Sequence, residues 1–170
     1  MKIRAATRDD LPAIRDIHVL SWRASYAGML PDDFLGAPLE AAMTDRWGQM
    51  PENDVLLLVA EEGDLLGFAC VRCDNAHGPL LDNLHVAGDV QGQGVGLHLM
   101  QALAKRLTGM RKTTLWLEVL EANTAARRFY GRLGGVEGPV FQDDLFGNPV
   151  PARKVIWNGF EKIFMPDEKS

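Results

Sequence analysis

The stretch "LHVAGDVQGQGVGLHLM", from Leu84 to Met100, limits the possible folds more than any other. It begins as a strand-like apolar run. Beyond it, Leu99, Met100, Leu103 and Leu107 recur at helical spacing. Between the two stand Gly92, Gly94 and Gly96, at alternate positions. A helix start leaves N–H groups without intrahelical partners and carries partial positive charge. Glycines there remove side chains that would hold an anion away. Backbone amides from Gln91 to Leu97 are therefore placed to converge on a pyrophosphate. Glycine-rich turns also serve as plain tight connections.

The anion can be narrowed. A phosphate loop of the G-K-S/T kind needs a lysine and a hydroxyl, and this stretch has neither. A dinucleotide fingerprint needs G-x-G-x-x-G. Its third glycine would fall at Leu97 or Leu99, depending on the starting glycine. Glu118 stands where a ribose-binding acid would lie, but too little chain remains for the usual run of parallel strands. The pattern that fits is Q-x-x-G-x-G, from Gln91, Gly94 and Gly96.

The rest of the chain reads as one mixed domain over residues 1–165, with a frayed tail at 166–170. Its 170 residues, 46% hydrophobic, are enough to bury roughly 70% of the surface an unfolded chain exposes. "KIRA" is a first strand and "TRDD" starts a helix, with Thr7 and Asp10 at capping-box spacing and Pro12 in the first turn. Leu11, Ile14 and Ile17 give that helix its apolar stripe. "SWRASYAGMLPDDFLG" breaks at Gly28 and Pro31 and reads as a helix end, a loop and a second short helix. "VLLLVAEEGDLLGFACVR" is a hairpin turning at "EEGD". "LLDNLHV", "TTLWLEV" and "ARKVIW" are further strands. "NTAARRFYGRLGG" is a helix capped by Asn123 and ended by Gly134 and Gly135. The order β-α-α-β-β-β-α-β-α-β predicts a mixed α+β sheet with helices on its faces.

Several functions are set aside. A net charge of −5 argues against surface-wide attraction to nucleic acid or anionic membrane. The apolar run "VLLLVA" is too short to span a bilayer, and "MKIRAATRDD" lacks a secretory apolar region, so a cytoplasmic protein is expected. Cys70 and Cys73 form a C-x-x-C, but Cys70 lies within a strand and no second pair completes a zinc set, so no metal is expected. His18, His77 and His98 show no ligand spacing, and Trp47, Trp116 and Trp157 read as core contacts.

Three features together resemble the GCN5-related N-acetyltransferases, the GNAT family. The first is "LHVAGDVQGQGVG", a strand followed by a pyrophosphate loop. The second is "NTAARRFYGRLGG", similar to the family's N-x-x-A-x-x-F-Y-x-K/R-x-G-F, with Asn123, Ala126, Phe129, Tyr130, Arg132 and Gly134 matching. Gly135 departs from the usual Phe, which implies some loss of core packing. The third is the order and spacing of the two motifs. The resemblance covers nearly the whole chain. It implies a central, mostly antiparallel twisted sheet with a splayed strand pair.

The resemblance also implies roles. Leu84, His85 and Val86 would pair through their backbone with the pantetheine arm of acetyl-CoA, as another strand would. Gln91, Gly92, Gln93, Gly94, Val95, Gly96 and Leu97 would hold its pyrophosphate. Asn123 and Ala126 would line the cofactor. Tyr130 would protonate the leaving thiolate, where plain packing is the alternative for the ring. Such enzymes let an amine attack the acetyl carbonyl directly. A lysine-like amine is mostly protonated at neutral pH, so a base or water chain must take its proton. In several relatives a carboxylate stands at the position of Leu80. Asp82 shares that strand face and is the candidate base, with Glu118 and a water relay as alternatives. The acceptor site is expected at Trp22, Arg23 and Tyr26, where an aromatic wall suits a cationic amine and where the same rings equally suit helix packing. Two functions follow: an acetyl-CoA-dependent N-acetyltransferase of a primary amine on a small molecule or peptide, or an acyl-CoA-binding module without turnover. Homodimers are common among such enzymes.

Overall fold

The computed structural model describes residues 1–52 and 54–168. Strand β1 (Lys2–Ala5) leads through a single 3₁₀ turn into α1 (Leu11–Tyr26). The Thr7 N–H donates to Asp10 Oδ2 at 2.7 Å, fixing the turn that launches α1. Leu11, Ile14 and Ile17 are buried, as their spacing predicts. The second helix, α2 (Ala37–Arg46), starts later than expected. "PDDFLG" itself forms turns closed by the Phe34 N–H on the Pro31 carbonyl, and the helix begins only past Gly36.

Strands β2 (Val55–Glu62) and β3 (Asp64–Arg72) are joined through Gly63 at φ 79°, the hairpin expected at "EEGD". Then come β4 (Leu80–Val86), α3 (Val95–Gly109), β5 (Leu115–Leu120), α4 (Thr124–Arg132), β6 (Val136–Leu145), β7 (Asn148–Trp157) and a short α5 (Glu161–Phe164). The seven strands run in the order β1-β2-β3-β4-β5-β7-β6. Pairs β1–β2, β5–β7 and β6–β7 are antiparallel, and β4–β5 is parallel, with Leu80 opposite Trp116. This is the mixed, mostly antiparallel architecture the sequence predicts.

β6 is a strand the sequence reading leaves unassigned. Gly138 and Pro139 interrupt its apolar pattern, and the register shifts between Glu137 and Val140. A proline is tolerated there because β6 is an edge strand.

The chain forms two compact units. One comprises Met1–Val71 and Asn83–Leu99, the other Arg72–Asp82 and the chain from Met100 on. In the first, β3 has helices on both faces. Phe68 meets His18 of α1, whereas a Cβ on neighbouring Gly67 would touch Val95 of α3. In the second, Leu103, Leu107, Leu115, Trp157 and Ile163 are fully buried. Trp157 Nε1 donates to the Leu133 carbonyl at 2.9 Å, fastening β7 under α4. A Cβ on Gly135 would lie 2.5 Å from Val155 and 2.7 Å from the Trp157 ring. Val155 and Trp157 thus fill the space next to position 135, and the packing that a missing Phe implies lost is supplied from β7. The Asp167 N–H reaches the Arg132 carbonyl at 3.0 Å, and Lys169 and Ser170 lie outside the described residues.

Candidate active site

In the first unit the glycine turn enters α3 with Gly92 at φ 80° and Gly94 at φ 88°, conformations that disfavour any side chain. The first bond of the helical ladder runs from His98 N–H to the Gly94 carbonyl at 3.0 Å. Val95, Gly96 and Leu97 precede it, so their amides have no earlier turn of helix to bond. No atom lies within 4 Å of where a Cβ on Gly92 would sit, and one on Gly94 would meet only the His98 ring. The turn thus leaves the space beside Gly92 and Gly94 clear at a helix N-terminus, and the unladdered amides there have the chemistry to hold a pyrophosphate. Gln91 Nε2 donates to the Val86 carbonyl at 3.4 Å, tying the turn back to β4.

On β4, the Ala87 N–H just past the strand bonds the Leu66 carbonyl of β3 at 2.8 Å. Strand N–H groups alternate between edges, so Val86 and Leu84 direct theirs away from β3. Gly67 lets the strands close up here, because a Cβ on it would sit 2.7 Å from the His85 carbonyl oxygen.

The inward face of β4 meets α1 in a polar and aromatic cluster. His85 Nδ1 lies 2.6 Å from Ser21 Oγ, and its Nε2 lies 3.3 Å from Asn83 Oδ1. The His85 ring stands 4.6 Å from that of His18. His18 is buried and accepts at Nδ1 from the Trp47 indole N–H at 2.9 Å. Burial, then His85, then Arg46 hold its pKa down to about 2, so it stays neutral. One turn on, the Trp22 and Tyr26 rings pair at 4.4 Å. Arg23 donates to the Leu35 carbonyl and to Glu40, so its guanidinium braces the loop before α2.

In the second unit, Asn123 caps α4 by accepting the Ala126 N–H at 3.2 Å. Tyr130 is buried, with ring edges against Phe129 and Trp157. Burial raises its phenol pKa beyond the ordinary range, so it carries its proton at neutral pH. Asp82 accepts from Arg72 Nε at 3.1 Å. Glu118, opposite Lys154 on β7, has its pKa raised by burial first, then by Asp143 and Asp82, with Lys154 opposing. A carboxylate so shifted is a better proton acceptor than an ordinary one.

The model of the acetyltransferase (GNAT) family matches residues 11–135, most of the chain. The chain belongs to the GNAT family. Among its relatives, phosphinothricin N-acetyltransferase of Alcaligenes faecalis is 33% identical over 149 residues, covering 82% of this chain and 72% of the relative. Spermine/spermidine N(1)-acetyltransferase of Bacillus subtilis (strain 168) is 30% identical, covering 79% and 86%. The PaiA N-acetyltransferase of Thermoplasma acidophilum, solved in complex with coenzyme A, shares the fold with a TM-score of 0.68 at 19% identity, covering 89% and 96%.

Within this GNAT chain the structure brings Leu84, His85, Val86 and the Gln91–Leu97 turn into one unit with Trp22, Arg23 and Tyr26. Asp82, Asn123, Ala126 and Tyr130 lie in the other. Ser21, bonded to His85 in the α1–β4 cluster, is a residue that sequence pattern alone does not single out. Its only signal is helical spacing, since His18, Ser21 and Trp22 stand at i, i+3 and i+4 on one face of α1. Among the described residues, no group of three or more His, Cys, Asp or Glu side chains is placed to hold a metal, and no helix is long and apolar enough to cross a membrane.

Proposed function

We propose that this GNAT protein is an acetyl-CoA-dependent N-acetyltransferase that delivers the acetyl group directly to a primary amine of a small molecule or peptide. The observation that carries this reading is the glycine turn. Left-handed Gly92 and Gly94, with clear space beside them, lead into a helix whose first amides have no ladder partner. The coenzyme A complex of the Thermoplasma relative and the N-acetyltransferase names of the two curated relatives support it.

In this reading the amides of Gln91 to Leu97 hold the pyrophosphate. Leu84 and Val86, whose N–H groups face away from β3, pair with the pantetheine amides, and His85 stands between them with its own carbonyl turned to Gly67 of β3. Val86 N–H doubles as donor to the carbonyl oxygen as it gains charge. Trp22 and Tyr26 form the acceptor wall, and Arg23 holds the adjoining loop in place. Asp82 takes the proton that the amine sheds, with Glu118 as the competing acceptor on β5. Tyr130 gives its proton to the departing thiolate. Asn123 keeps its amide N–H groups for the pantetheine, because its oxygen is engaged in the helix cap.

Calorimetry with acetyl-CoA, followed by a thiol-release assay over spermidine, phosphinothricin and a peptide with a free N-terminal alanine, tests the proposal. Acetyl-CoA binding with amine-dependent release is the expected result. Binding with no release from any amine would favour the non-catalytic module, and no binding would overturn the reading.

A further inference from the structure

The hydrogen-bond roles in the α1–β4 cluster can be assigned in sequence. Asn83 Oδ1 only accepts, so the His85 Nε2 beside it must carry a hydrogen. In the neutral form of the ring, which has one N–H, that leaves His85 Nδ1 as an acceptor. The atom 2.6 Å from it is Ser21 Oγ, and the hydroxyl must therefore donate. A helical serine usually turns its hydroxyl back to the carbonyl one turn earlier. Here the proton is held by β4, and the Ser21 oxygen keeps its lone pairs for another donor.

The surroundings reinforce this polarity. His18 stacks on His85 and is itself an acceptor at Nδ1, since the Trp47 indole can only donate. Phe68 closes the cluster from β3 with an apolar ring. Ser21 is half-buried, at the point where α1 passes from buried His18 to the half-buried aromatic pair of Trp22 and Tyr26.

We infer that Ser21 receives the acceptor amine, its hydroxyl proton pinned inward by His85 so that its oxygen accepts an N–H of the incoming amine. The inference deepens the acetyltransferase reading and rests on it. A primary amine that gives one N–H to Ser21 has its lone pair oriented by that bond, and the aromatic pair covers its carbon side. His85 touches no substrate through its side chain and acts through Ser21 as a positioning residue.

The test is steady-state kinetics at saturating acetyl-CoA, with whichever of spermidine, phosphinothricin or the alanine peptide is turned over. Ser21→Ala should raise the amine KM by about three- to tenfold, the worth of one hydrogen bond, and leave the acetyl-CoA KM unchanged. Ser21→Thr, which keeps the hydroxyl, should stay within about twofold of the unmutated chain. His85→Phe keeps a ring but removes the acceptor, and should raise the amine KM as Ser21→Ala does. The double variant should be no worse than either alone, because the two residues act as one unit. Effects that add, an unchanged amine KM, or an equal rise for both substrates would overturn the inference and leave the acetyltransferase reading standing. Absence of turnover by the unmutated chain with every amine would instead overturn that reading, and the inference with it.

Discussion

Tyr130 packs in the core and is the proposed proton donor to the leaving thiolate. Its ring packs against Trp157 and Phe129, and its buried phenol is held protonated. Tyr130→Phe keeps the ring and loses only the hydroxyl. General acid catalysis contributes roughly 10²–10⁴-fold, so kcat should fall by about tenfold or more even where water partly substitutes. Acetyl-CoA affinity, read by calorimetry, should hardly move, because the proton matters when charge builds on sulfur. Full kcat across the pH range, with chemistry rate-limiting, would return Tyr130 to packing alone. Asp82→Asn should lower kcat/KM and reshape the acid side of its pH profile, with acetyl-CoA affinity intact. An unaltered profile would move the proton acceptor to Glu118 or to water. The burial of Tyr130 and the helix cap at Asn123 are legible in the sequence because their motif is local. Ser21 is not, because its partner His85 is 64 residues away. A hydrogen bond between distant segments leaves no periodic trace in either.

At the scale of elements, the glycine turn and α3 act together. The helix supplies the amides and the turn keeps their approach clear. Gly94→Val puts a β-branched side chain at a positive φ on that approach and should weaken acetyl-CoA binding at least about tenfold, or about 1.4 kcal/mol, in calorimetry on folded protein. Unchanged affinity would sink the pyrophosphate assignment. Gly135 makes a contrasting case, a glycine kept for packing. Gly135→Ala forces a Cβ into Val155 and Trp157 and should cost about 1–3 kcal/mol in thermal melts. In a Val155→Ala background the same change should cost less, since the nearest clash is gone. Strands β1 to β5 and helices α1, α3 and α4 can be read in the sequence because apolar periodicity and capping residues agree there. β6 cannot, because a glycine, a proline and a register shift break the alternation that marks a strand. The onset of α2 slips because Gly36 and Pro38 mark a boundary whose far side only the fold selects.

For the whole molecule, buried and paired groups set the response to acid. Once unfolded, His18 takes up its proton at the ordinary imidazole pKa of 6.5, but the fold resists until about 2. Between those limits the unfolded chain binds the extra proton, so stability is complete above about 6.5 and falls as pH drops, by up to ~1.4 kcal/mol per unit. Asp10 reinforces the trend lower down. Its pairing with Arg4 lowers its pKa from 3.8 to about 2, and the stability it contributes above 3.8 is lost through that interval. Melting temperature should therefore be level near neutrality, decline from mildly acidic pH and steepen below about 4. His18→Gln should flatten the first decline even if it lowers the plateau, and an unchanged slope would show that another group carries it. The buried imidazole also shapes any activity profile. As pH falls, the proposed proton acceptor and the folded population titrate together, and a steady measurement returns their product. A rapid acid jump separates them. Where the site exchanges protons faster than the chain unfolds, the first turnovers report the acceptor and the later decay reports the loss of fold to which His18 and Asp10 contribute.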